Sequence, residues 1–267
     1  MNNNFDSKKY NILALKNLYN YKKNKPFPHI QFLNFLKPSL AKSIFKNFPS
    51  YNDKKTWIDH EKYGKNINTN FKRAQHDERK FPKIIRNFCR ELNSQQFLLF
   101  LETLTGIDGL IPDPYMIGGG IHVSRQKGYL NIHTDFNWHH KMRLHRRVNV
   151  LIYFTPNWKK EYMGNLEFYD RNKKKKIKDY MPIFNSCTIF NTSNVSFHGH
   201  PEAVKGDNHR RVINMYYYTA ERKKSEIFTP TFTSYGVLKK TKINKKKFDI
   251  KNSPFALNLL KDYKKLK

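Results

Sequence analysis

The sequence predicts an α+β protein with a mainly β core, two sheets layered together with helices packed outside. Two observations carry this. Apolar residues recur at helical spacing through much of the first third of the chain, and after Gly106 the texture changes. From there, short β-rich runs alternate with Pro, Gly and Asn turns, a pattern that favours a double-sheet β-fold over a bundle. The chain has 267 residues, with 21 Phe, 16 Tyr and 3 Trp, enough apolar volume for one large domain.

The elements follow in order. Residues 1–25 are polar and rich in Asn and Lys, and read as a poorly ordered segment or a surface helix. KPFPHIQFLNFL (25–36) alternates apolar and polar residues and reads as extended. LKPSLAKSIFKNFP (36–49) has helical spacing, with Ser39 as candidate N-cap. Residues 51–80 are polar and give no assignment. FPKIIRNFCRELNS and QQFLLFLETLTGI (81–107) read as two helices broken near Asn93-Ser94, Ser94 capping the second. Six strand runs follow: GGGIHVSR (118–125), GYLNIHTDF (128–136), RRVNVLIYFTP (146–156), NLEFYDR (165–171), SCTIFNTS (186–193) and RRVINMYYYTA (210–220). FALNLLKDYKKL (255–266) reads as a closing helix. The organisation is a polar segment (1–25), a helical part (26–110), a β core (111–220) and a basic C-terminal extension (221–267).

Composition narrows the setting. Lys and Arg number 51 against 21 Asp and Glu, a net charge of +30. Such a field suits a polyanionic partner such as nucleic acid. A base-composition bias toward Lys, Asn, Ile, Phe and Tyr would also raise it. The runs Lys173–Lys176 and Lys245–Lys247 lack the aromatic interleaving of single-strand binders, and read as solvated loops or tail. Two cysteines, Cys89 and Cys187, make no disulfide framework and no Cys-based zinc site, and read as small buried hydrophobes. No secretory h-region and no run of about 18 apolar residues is present. A cytoplasmic protein with no membrane partner is expected.

The chemistry concentrates in YLNIHTDFNWHH (129–140). On a strand alternate side chains share a face, so His133 and Asp135 are neighbours with Thr134 turned away. An imidazole and a carboxylate side by side are two members of a 2-His-1-carboxylate facial triad, the donor set of non-haem Fe(II) oxygenases. The third must come from elsewhere, and SFHGHPEAV (196–204) offers His198 and His200. NHRRVINMYYYT (208–219) then opens a strand with Arg210 and Arg211, either of which can bind a carboxylate bidentately.

This ordered constellation resembles the 2-oxoglutarate/Fe(II)-dependent oxygenase superfamily, and within it the prolyl-4-hydroxylase-like branch. The resemblance runs from about Gly118 to Thr219, through HTDFN, RRVNVLIYFTPNWKKEYMGNLEFYD, FNTSNVSFHGHPEAV and RRVINMYYYT, with KPFPHIQFLNFL also similar. Met163-Gly164 departs from it, since relatives usually carry Gly-Gly there. The resemblance implies a double-stranded β-helix, a jelly-roll or cupin-like fold. It implies Fe(II), 2-oxoglutarate and O2, and hydroxylation of a C–H bond coupled to decarboxylation of 2-oxoglutarate to succinate and CO2. Asp135 argues for hydroxylation, because halogenating relatives carry a small residue there. A prolyl residue in a protein is the implied substrate, with peptides and small molecules open.

By the same resemblance His133, Asp135 and His198 bind iron, with His200 as the alternative. The aromatic-ended strand before His198 and the proline after it favour His198. Arg210 or Arg211 binds the distal carboxylate of 2-oxoglutarate. The aromatic end Tyr216–Tyr218 favours Arg210, while the more apolar face shared by Arg211, Ile213, Met215 and Tyr217 keeps Arg211 open. Period-two counting puts Tyr129 and Asn131 on the His133 face, either to hydrogen-bond co-substrate or substrate or as buried, satisfied polar groups. Asn137 and Trp138 line the mouth or pack. His139, His140 and His145 read as mostly solvated, His122 as a core histidine, and Arg147 as paired inward or lying outside. Two further readings are a nucleic-acid- or ribosome-associated oxygenase and a non-enzymatic binding module of the same fold. Against the dealkylating branch, the residues six after each arginine are Tyr216 and Tyr217, where that branch has a second arginine. Against the binding module, all four motif positions are intact.

Overall fold

A computed structural model of the chain describes residues 4–57, 69–172, 175–226, 230–231 and 233–235. The expected closing helix at 255–266, most of the basic extension, part of the first lysine run and all of the second lie outside the described residues. The elements are α1 (Ser7–Lys23), β1 (His29–Phe32), α2 (Pro38–Lys46), β2 (Thr69–Gln75), α3 (Lys83–Leu92), α4 (Gln95–Thr105), β3 (Ile111–Pro112), β4 (Gly120–Thr134) and β5 (Trp138–His139). Then follow β6 (Leu144–Tyr153), β7 (Leu166–Tyr169), β8 (Lys176–Tyr180), β9 (Cys187–Asn191), β10 (His198–His200), β11 (Arg210–Thr219) and β12 (Ser234–Tyr235).

The strands pair antiparallel in the order β1-β9-β6-β11-β4-β10-β7-β8, with β2 and β12 added to β4, β3 to β11 and β5 to β6. Strand β4 carries the fold. Its first half pairs with β11, Ile121 opposite Ile213, and its second half with β10, His133 opposite His198. One long strand thus links two sheets that face each other, the double-stranded β-helix.

Alternation divides each central strand. Val148, Val150 and Ile152 of β6, with Ile213, Met215 and Tyr217 of β11, turn outward and join the helices in the main core. Asn149, Leu151, Arg210, Val212, Asn214 and Tyr216 turn inward and line a cavity between the sheets. The outer core is aromatic. Phe5, Tyr10, Phe35, Phe97 and Phe100 interlock at centroid distances of 4.7–6.4 Å, packing that adds specific ring contacts to area burial.

The helices differ from expectation in detail. The N-terminal segment is a well-formed helix rather than a poorly ordered one. Asp6 caps α1 by accepting from Lys9 N, and Tyr10, Ala14 and Tyr21 are buried. Ser39 is not a cap, because Pro38 already occupies the first helical position, where its missing N–H costs nothing. Ser94 holds the N-cap position of α4, but its hydroxyl makes no cap hydrogen bond. Strand β2 lies in the unassigned region 51–80 and pairs along β4.

Candidate metal centre

The site begins with an irregularity in β4. Opposite β10, His133 pairs with His198 but Leu130 pairs with His200, so three steps on β4 match two on β10. The extra residue is a bulge, and it reverses the alternation at this point. Leu130 and His133 both line the cavity, whereas Tyr129 and Asn131 are not among its lining residues. The period-two count that put them beside His133 failed for this reason. Asn131 serves through its backbone, whose carbonyl accepts from His133 Nδ1 at 2.8 Å. Gly199 lets β10 close on the bulge. A Cβ there would stand 2.8 Å from the carbonyl oxygens of both Leu130 and Asn131.

His133, Asp135 and His198 converge, with one donor atom from each lying within 4.8 Å of the others and all three side chains buried. His133 Nε2 is 3.5 Å from Asp135 Oδ1, and His198 Nε2 is 3.4 Å from Asp135 Oδ2. The rings are oriented from behind. His133 Nδ1–H donates to the Asn131 carbonyl and His198 Nδ1–H to the Ser196 carbonyl at 2.9 Å. A carbonyl can only accept, so both rings carry the proton on Nδ1 and turn an Nε2 lone pair to the centre. Two imidazoles and a carboxylate on one side, with the cavity opposite, fit a divalent metal with open positions.

Asp135 has its own support. Its Oδ2 accepts from Arg146 at 2.9 Å and from Asn149 Nδ2 at 2.7 Å. Burial alone would raise the carboxyl, but the Arg146 guanidinium, His198 and His133 hold it well below the usual carboxylate range. Arg146 is buried, donates twice to Asn149 Oδ1, and stacks on Tyr216 with its guanidinium carbon 3.4 Å from the ring centroid. Sequence reasoning missed Arg146 and Asn149 and weighed Arg147 instead. Arg147 points outward to Thr219 Oγ1 and the Glu221 carbonyl. A position three before an inward Asn on a strand is normally outward. The Tyr217/Tyr218 register shift where β11 meets β6 accompanies Arg146 turning in.

His200 does not join the triad. It is buried on the far side of Gly199 and lines the cavity beside Arg210. Arg210 is buried and lines the cavity, donating to the Gly164 carbonyl at 2.9 Å and to Tyr153 Oη at 3.2 Å. Arg211 turns to the other face, over the Phe45 ring and toward the His209 carbonyl. No carboxylate among the described residues forms an ion pair with Arg210, and burial draws its basicity down. A buried guanidinium held only by neutral acceptors is a site for an anion. The Met163-Gly164 departure holds this arginine. Met163 adopts φ 55° and ψ −150°, a conformation that normally selects glycine, and Gly164 then presents its carbonyl to Arg210.

Other histidines settle differently from expectation. His139 is fully buried, not solvated, with Nε2 3.3 Å from Asp113 Oδ1 and Nδ1 accepting from Met142 N. His145 packs on Trp138, ring centroids 4.8 Å apart. His122 is buried as expected, donating from Nε2 to the Gly119 carbonyl, and it also lines the cavity. Asn137 bridges Asn194 and the backbone of Thr231.

With this geometry established, comparison with known proteins shows what the chain is similar to. Residues 119–218 match the 2OG-Fe(II) oxygenase superfamily model, a span that contains every donor described above. This stretch of the chain is similar to the 2OG-Fe(II) oxygenase superfamily. The chain is 30% identical over 167 residues to prolyl 3-hydroxylase OGFOD1 of Mus musculus, covering 60% of this chain and 28% of that protein. It thus spans under a third of that curated relative's length. Its fold is similar to a Trichoplax adhaerens prolyl hydroxylase solved with a hypoxia-inducible-factor peptide, with TM-score 0.56 and 17% identity over 79% of this chain and 91% of the other. It is similar also to a Pseudomonas putida prolyl-4-hydroxylase, with TM-score 0.52 and 12% identity over 78% and 98%. HygX of Streptomyces hygroscopicus, solved with nickel, 2-oxoglutarate and hygromycin B, matches with TM-score 0.54 and 10% identity over 84% and 97%.

The protein buries neutral histidines, which sets a pH dependence of stability. Burial brings His198 down to about 4 and holds His200 well below the ordinary histidine value. Below about pH 6.5 the unfolded chain takes up protons that these folded imidazoles refuse. Stability of the metal-free protein is therefore complete above pH 6.5 and declines as pH falls toward 4, by up to about 1.4 kcal/mol per pH unit for each group. Urea midpoints from pH 7.5 to 5 check this, and a flat midpoint contradicts it.

Proposed function

We propose that this chain is an Fe(II)- and 2-oxoglutarate-dependent hydroxylase. The observation that carries the reading is the shared cavity, with His133, Asp135 and His198 at one end and Arg210 at the other. The cavity, of about 170 Å³, is small and suits a small dicarboxylic acid. His133 Nε2, His198 Nε2 and Asp135 would hold Fe(II), which when bound supplies the dioxygen chemistry that the side chains themselves lack. The residues do the rest. Arg146 and Asn149 keep Asp135 ionised and fixed. The two backbone carbonyls keep both imidazoles in the ligating tautomer. Arg210 would bind the distal carboxylate of 2-oxoglutarate, in a cavity that Leu151, Leu166 and Val212 line with apolar surface.

The substrate is proposed as a prolyl residue in a protein or peptide. The murine relative's name and the two prolyl hydroxylase structures support this class. A cytoplasmic setting is proposed with it, supported by two buried free thiols, and no described helix is long and apolar enough to cross a membrane. The net charge of +30 supports a polyanionic docking partner for this enzyme, RNA or ribosome-bound protein. Succinate release from 2-oxoglutarate, with Fe(II) and panels of prolyl peptides, RNA oligonucleotides and metabolites, tests the reading. Stimulation by a prolyl peptide with a mass gain of one oxygen is expected. Stimulation by RNA or a metabolite alone would replace the prolyl substrate.

A further inference from the structure

The Arg210 end of the cavity holds two groups that neither the triad nor the arginine explains. His200 is buried, and neither ring nitrogen forms a hydrogen bond within the described structure. Buried polar groups are almost always paired, so an imidazole with both nitrogens idle is poised for a ligand. It is not idle through looseness. Gly199 presses β10 onto the carbonyls of Leu130 and Asn131, which fixes where His200 stands.

The second group is Lys72, delivered by β2 where it pairs with Ser124 of β4. Lys72 lines the same cavity as Arg210 and His200. Desolvation and the repulsion of Arg210 bring its ammonium down to about 8, with Asp135 opposing. No ion pair involves Lys72 or Arg210 among the described residues. Two cations that repel each other inside a cavity, with no carboxylate paired to either among the described residues, are costly unless an anion joins them.

We infer that Lys72 and His200 complete the subsite for the distal carboxylate of the co-substrate, so that three groups from β2, β10 and β11 select a 2-oxo dicarboxylate. The inference rests on the hydroxylase reading and adds two residues to it. A carboxylate has about four lone-pair positions, enough for a guanidinium, an ammonium and one imidazole N–H. Either neutral tautomer of His200 carries that N–H. Lys72 and His200 act by binding and orienting the co-substrate.

The test is calorimetry on the full chain loaded with Mn(II), which prevents turnover. Two ligands are titrated: 2-oxoglutarate, and oxalate, which offers the metal two oxygens but has no distal carboxylate. Lys72→Met and His200→Leu should each weaken 2-oxoglutarate about tenfold, the scale of a lost charge-assisted hydrogen bond. Oxalate affinity should stay at the wild-type value, and Lys72→Arg should keep most of the 2-oxoglutarate affinity. Oxalate binding in the same sample reports that the variant is folded and its metal centre intact. Wild-type 2-oxoglutarate affinity in both variants overturns the subsite, and so does an equal loss for both ligands. A wild-type chain that takes up Mn(II) but not 2-oxoglutarate overturns the hydroxylase reading itself.

Discussion

Asp135→Ala is expected to abolish both Fe(II) binding and coupled turnover. The carboxylate is the one anionic member of the donor set, and its two oxygens face His133 and His198 at 3.4–3.5 Å. No other described carboxylate joins the cluster to take its place. Losing a supporting group behind a ligand costs about 10- to 100-fold in metal affinity, so losing the ligand should exceed about 100-fold. Arg146 keeps Asn149 and the Tyr216 ring as partners but loses its buried counter-charge, a cost of about 3–5 kcal/mol of stability, so a thermal melt of the variant accompanies the metal titration. Metal titration and succinate release check this together. Wild-type hydroxylation in the variant would sink the triad.

Arg146→Met is expected to produce the second-largest effect without touching a ligand. It leaves the buried Asp135 carboxylate with Asn149 as its remaining hydrogen-bond donor. Breaking a buried pair from one side costs about 3–5 kcal/mol of stability, because the other charge stays behind. Metal affinity at pH 7 should fall about 10- to 100-fold. The defect has a signature in pH. Without the guanidinium, burial raises the Asp135 carboxyl, and a metal must compete with a proton. The deficit against wild type should therefore shrink as pH rises from 6 to 8. A deficit constant over that range would mean that Arg146 acts through packing alone.

Much of this site is legible in the sequence, and the reasons for the rest are physical. The spacing of His133 and Asp135 declares a shared face because both lie past the bulge, where alternation is regular. Tyr129 and Asn131 lie before or within it, and no local signal marks an inserted residue. The ambiguity between Arg210 and Arg211 had a different source. The more apolar face of β11, carrying Ile213, Met215 and Tyr217, covers the helices, and the polar face lines the cavity. In a two-sheet fold the apolar side of a strand marks the core, and a catalytic cavity takes the other. Lys72 was hidden because TNFKRAQ lacks strand alternation and gains its strand geometry by pairing with β4. His139 looked solvated in a run of basic residues, yet Asp113, distant in sequence, buries it. Long-range pairing decided each of these positions.

The central claim is that one cavity holds a metal at His133, Asp135 and His198 and a 2-oxo acid against Arg210. Anaerobic calorimetry of the full chain with Fe(II), followed by 2-oxoglutarate, tests it most directly. One Fe(II) per chain is predicted, then one 2-oxoglutarate that binds only after the metal and is lost in Arg210→Met. A chain that takes up no Fe(II), or binds 2-oxoglutarate equally well without it, would contradict the account.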